Sequence, residues 1–175
     1  YFGQEVGEPA VENPGFGAPT RTSIFDYIGV PQHQKWMNEG AFDGGKLDSK
    51  SKELRAFYKT LLNFSNSNSA LLGNYADLHT YNRQFESNYS HKDYSFIRWD
   101  GTKRVLVITN FDQLNGNQYQ LRIPKEIMDK LGVSSTTIPM TDVLNVSRNL
   151  TLEIDENGGL VSVDIQPLES MILTF

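Results

Sequence analysis

The chain has 175 residues, with 16 Lys and Arg against 21 Asp and Glu, a formal charge of −5 and no cysteine. That length suits one domain, or one domain with part of another, and is enough to close a hydrophobic core without a metal or a disulfide. The missing cysteines exclude thiol nucleophiles and Cys-rich zinc sites, and the negative balance removes the attraction to phosphate on which non-specific nucleic-acid binding depends.

No stretch approaches the 18 or so apolar residues of a membrane helix, so membrane insertion is not expected. Tyr1 stands where neither an initiator Met nor a basic, apolar leader precedes the fold, and it reads as an internal position of a longer chain. Residues 1 to 48 hold four of the seven prolines and eight of the 14 glycines. Such a density predicts loop with short helical turns, one of them from Pro31 to Met37 with proline at its first position and Trp36 on its inner side. Ser49 to Phe64 is the clearest helix, since Leu54, Phe57, Tyr58, Leu61 and Leu62 recur at helical spacing. Asp48 or Ser49 caps its start, and the Asn/Ser cluster 63–69 ends it.

From Tyr75 onward the pattern changes to short strands: 75–81, 94–99, 104–111, 118–123, 138–142, 150–154, 160–165 and 171–175. Leu150, Leu152 and Ile154 alternate with polar residues, as do Val161 and Val163, so those strands have one wet face. The unbroken apolar run from Val105 to Ile108 predicts a central strand. Asp100-Gly101 and Glu156-Asn157-Gly158-Gly159 specify two hairpin turns. Pro124 to Leu131, closed by Gly132, is a single short helix. Many short antiparallel strands with regular turns define a mainly β chain, a β-sandwich or open barrel.

Few residues suggest chemistry by themselves. His33, His79 and His91 are too scattered for a metal pair, and no metal or cofactor is expected. Asp155-Glu156-Asn157-Gly158 lacks the distal Glu of a calcium loop and reads as a turn. Gly15-Phe16-Gly17 is too short for a phosphate loop. Asn-x-Ser/Thr sequons begin at Asn63, Asn88, Asn145 and Asn149 and matter only in a glycosylating source. Aromatic residues make up 11% of the chain. Trp99, Tyr89 and Tyr94 are candidates for stacking on sugar rings, with core packing as the competing reading.

Tyr1-Phe2-Gly3-Gln4-Glu5-Val6-Gly7 resembles the Y-[YF]-G-[DQ]-E-[ILV]-G motif at the eighth barrel strand of the α-amylase family, glycoside hydrolase family 13. The glycine- and proline-rich loop with Arg21-Thr22-Ser23-Ile24-Phe25-Asp26-Tyr27 is similar to that family's following loop, although Ser23 stands where the family often has proline. Leu54-x-x-Phe57-Tyr58-x-x-Leu61-Leu62, Tyr94-Ser95-Phe96-Ile97-Arg98 and Val105 to Phe111 resemble its last barrel helix and the opening strands of its C-terminal β-sandwich.

The resemblance implies that residues 1–66 are the end of a (β/α)8 barrel, with a helix at about 49–64, and that 67–175 form an antiparallel β-sandwich like the amylase C-terminal domain. It also implies a parent enzyme that hydrolyses α-glucosidic bonds in starch or maltooligosaccharides with retention. The family's catalytic carboxylates lie upstream of its Tyr-Phe-Gly-Gln-Glu motif, so the chain alone is expected to be inactive and structural. Glu5, Arg21, Asp26 and Tyr27 would border the substrate cleft, because such barrels carry their active sites on the face built by these loops.

The expected partners are the rest of the barrel, the parent's α-glucan substrate and, through exposed barrel-facing surface, a second copy of the chain. Export of the parent, to the periplasm or beyond, is compatible with this reading. The alternative is a carbohydrate-binding module with its own α-glucan affinity. An unrelated sandwich whose N-terminal motif matches by chance is a third reading.

Overall fold

The computed structural model describes residues 3–9 and 30–175. They fall into two compact units, Tyr1–Asn63 and Phe64–Phe175.

In the first unit, a 3-10 turn over Gln4–Val6 is followed by helix α1, Pro31–Met37, and by the start of α2, Ser49–Ser67. Pro31 does open α1. The Asp48 carboxylate accepts the Ser51 N–H at 2.8 Å and caps α2. Such a cap stabilises a helix by about 1 kcal/mol. Val6 and Leu47 are buried. The apolar stripe of α2 is not: Phe57 is 45% and Leu62 60% exposed, while Leu54, Tyr58 and Leu61 are half-buried.

The second unit is an eight-stranded antiparallel sheet in the order β1-β2-β3-β8-β5-β6-β7-β4. Its strands are β1 Asn74–Asp77, β2 Asp93–Asp100, β3 Lys103–Asn110, β4 Asn117–Pro124, β5 Thr137–Asp142, β6 Asn149–Asp155, β7 Gly158–Ile165 and β8 Ser170–Thr174. Helix α3, His79–Phe85, follows β1, and α4, Lys125–Leu131, follows β4. The sheet is continuous only through a narrow junction, where β8 meets β5 at Thr141↔Thr174 and Asp142↔Leu173.

On either side of that junction the two halves share one core. Ile97, Leu106 and Leu173 from one half join Leu121, Leu152 and Val161 from the other. At the corner the fully buried Asp142 stands in for further ladder bonds, its Oδ1 accepting the N–H groups of Ile172 at 3.1 Å and Leu144 at 3.0 Å. Arg148 lies beside it, donating to Asp142 and to Glu169.

The mainly β architecture and the central place of β3 agree with the sequence, and so does α4, which Gly132 closes at φ 62°. The expected strand 75–81 does not run that far. It stops at Asp77, whose carboxylate accepts the N–H groups of His79 and Thr80 and starts α3 instead. Pro124 caps α4 from outside and ends β4, so the proline belongs to the strand.

Candidate functional site

The motif segment forms a 3-10 turn bracketed by Gly3 and Gly7 at φ 76° and 71°. Gly3 is required twice over. L side chains rarely take its backbone conformation, and a Cβ there would lie 2.8 Å from the Cβ of Glu8. Its carbonyl accepts the N–H groups of Val6 at 3.1 Å and Glu8 at 3.0 Å. This turn aims Glu8 at α1, where Oε2 accepts the N–H of Gln32 at 3.1 Å and of His33 at 3.0 Å. Helix N-termini carry unpaired N–H groups and partial positive charge, so a carboxylate suits both. Glu8 thus anchors α1 across 24 residues of chain, a role that the sequence alone does not announce.

Glu5 is half-buried beside an open hollow of about 410 Å³ lined by Glu5, Arg55, Tyr58, Lys59, Leu62 and Asn63. Gln4 donates to the Tyr58 hydroxyl at 2.7 Å and ties the motif turn to α2. Arg55 lies over the Trp36 ring, 5.0 Å from its centroid. Arg21, Asp26 and Tyr27 lie outside the described residues.

In the second unit, strand alternation separates the three aromatic candidates. Trp99 on β2 is 9% exposed and sits in the core with Ile97, and Tyr89 is 6% exposed. Neither offers a ring face to a ligand. Tyr89 is pinned by its own contacts, its hydroxyl 3.0 Å from Ser95 Oγ and its ring edge-to-face with Tyr119 at 5.1 Å. Burial pushes the Tyr89 hydroxyl well above the ordinary phenol range.

Tyr94 falls on the opposite, outward face, half-buried beside Phe96 at 6.0 Å. Tyr75, half-exposed on β1, reaches the same face, 5.7 Å from Phe96 and with its hydroxyl 3.2 Å from that of Tyr94. The hydrogen bond with Tyr94 comes first among the causes that push Tyr75 up to about 12. Tyr94 is the one of the three aromatic candidates on this face, and Tyr75 and Phe96 beside it were not among them. The i, i+2 spacing of Tyr94 and Phe96 was the available signal.

The acidic turn carries no ligand geometry. Asp155 accepts two hydrogen bonds from Arg122 Nη1, at 2.8 and 2.9 Å, and one from the Asn157 N–H. Its carboxylate, held below the ordinary range first by Arg122, is committed to the β6–β7 hairpin.

No family model matches the sequence, and no curated protein matches it. Solved structures do. AmyP in complex with maltose matches with a TM-score of 0.55 at 12% identity, over 99% of this chain and 30% of that one. An AmyP variant in complex with maltotriose matches with a TM-score of 0.50 at 11% identity, over 75% of this chain and 22% of that one. At such identity the likeness is one of fold. Both are α-amylase-family structures, and this chain has the fold of a part of them, spanning less than a third of their length.

Proposed function

We propose that the chain is the non-catalytic C-terminal region of an α-glucan-active, retaining glycoside hydrolase. In this reading residues 1–66 are the last βα unit of a catalytic barrel and 67–175 an accessory β-sandwich. The observation that carries it is the fold likeness to AmyP over 99% of the chain, which takes in the motif turn at Gly3–Gly7 as well as the sheet. AmyP was solved with maltose and with maltotriose, which makes an α-linked glucan the natural substrate class to propose.

Retention requires a carboxylate nucleophile and a separate acid/base about 5 to 5.5 Å apart. Both would come from barrel strands upstream of Tyr1. The role this reading gives residues 1–66 is architectural. The Gly3–Gly7 turn and Glu8 hold one end of the barrel, and Glu5, Arg21, Asp26 and Tyr27 border the cleft without reacting.

The coding sequence upstream of Tyr1 tests the reading. It should specify an apolar Gly-x-Pro strand and, further back, an Asn-His-Asp. An upstream frame with neither would contradict it.

A further inference from the structure

We infer that the outward face of β1 and β2 is a binding platform for an α-glucan chain, built on Tyr75, Tyr94 and Phe96. This rests on the α-glucan reading above.

The register places these rings together. Tyr75 pairs with Arg98 and Asp77 with Phe96, so Tyr75, Arg98, Phe96 and Tyr94 all project from one side while Ser95, Ile97 and Trp99 fill the other. The rings run in short steps, Tyr75 to Phe96 at 5.7 Å, Phe96 to Tyr94 at 6.0 Å and Tyr94 to His79 at 5.5 Å. Their planes are tilted 35° to 51° to one another. Cross-strand aromatic packing stabilises a sheet without any ligand. That role does not require the outermost ring, Tyr75, to stay 50% exposed.

A row of this kind suits a ligand with apolar faces and a hydroxyl rim. The C–H faces of consecutive pyranose rings would lie on the three aromatic rings. The paired phenol hydroxyls of Tyr75 and Tyr94, 3.2 Å apart, would exchange hydrogen bonds with the sugar hydroxyls. Nucleic-acid bases also stack on aromatic rows, but they need a basic groove to track the phosphates, and this chain carries a net charge of −5. A neutral polysaccharide needs no such field.

The test is titration of the 175-residue chain with maltoheptaose, followed by NMR. The expected result is saturable, millimolar binding, with the largest shifts at Tyr75, Tyr94 and Phe96. Tyr75→Ala should weaken binding about tenfold or more, as loss of an exposed aromatic anchor does. Tyr94→Phe, which keeps the ring and removes the hydroxyl, should weaken it less. If Tyr75→Ala unfolds, the shift map of the unaltered chain still decides. No binding at about 10 mM ligand, binding that maps elsewhere, or a Tyr75-dependent self-association in place of glucan binding would each overturn the platform. Such a failure with Asn-His-Asp found upstream would leave the parent reading intact, whereas absence of the upstream motifs would remove that reading itself.

Discussion

Asn82 closes the free edge of β4 by taking both backbone groups of Arg122. Its Oδ1 accepts the Arg122 N–H at 2.7 Å, and its Nδ2 donates to the Arg122 carbonyl at 2.8 Å. Nδ2 also donates to the carbonyl of Leu78 at 2.8 Å, so one fully buried amide ties the α3 segment at one end of the sheet to the last strand at the other. An unpaired edge invites association with other chains, and this contact occupies part of it. Asn82→Ala should therefore lower unfolding stability by about 3 kcal/mol, since it strands buried backbone groups. Urea denaturation followed by circular dichroism measures it, and a loss below about 1 kcal/mol would show that water replaces the amide.

Gly158 permits the β6–β7 hairpin. It has φ 125°, and a Cβ on it would lie 2.2 Å from the Ile123 carbonyl oxygen of the neighbouring strand. Gly158→Ala should cost about 3 kcal/mol through strain and displacement of β4. The same denaturation series should show no comparable loss for Gly101→Ala, because nothing lies within 4 Å of a Cβ there and only its φ of 56° opposes the change.

Much of this architecture can be read from residue patterns, because period-two alternation and turn residues act locally. The alternation on β2 even contained the answer to which aromatic residues face out, since Tyr94 and Phe96 are out of phase with Ile97 and Trp99. What local pattern could not supply was long-range. Tyr89 is buried by Ser95 and Tyr119, and Glu8 finds its role at Gln32 and His33. The strand expected at 75–81 fails at Asp77 because a carboxylate that accepts the next two free N–H groups favours a helix start.

The Glu8 anchor gives a prediction for the first unit. Glu8→Ala should raise hydrogen–deuterium exchange at the Gln32 and His33 amides, with α2 beyond its first turn unchanged. Unaltered protection at Gln32 and His33 would show that α1 is held by other contacts.

Acid should weaken the second unit. Asp112 is held well below the usual carboxylate range, first by the Leu114 N–H and then by the Lys92 ammonium 2.9 Å away, and Asp155 is lowered first by Arg122. A carboxylate whose folded pKa is depressed contributes stability above its unfolded value of about 3.9, and that contribution is lost as pH falls through the folded value. The thermal midpoint should be flat near neutrality and fall below about pH 4. Asp112→Asn, which keeps an acceptor for the Leu114 N–H, should show a shallower fall. An equally steep fall in that variant would assign the acid sensitivity to other groups.

In the proposed reading this chain supports α-glucan chemistry without performing it. Release of reducing sugar from maltoheptaose measures that directly, with the purified 175-residue chain set beside the longer product of the same reading frame. No turnover is expected from the chain, and hydrolysis is expected from the longer product. Turnover by the chain alone, or a longer product inert toward α-glucans, would contradict it.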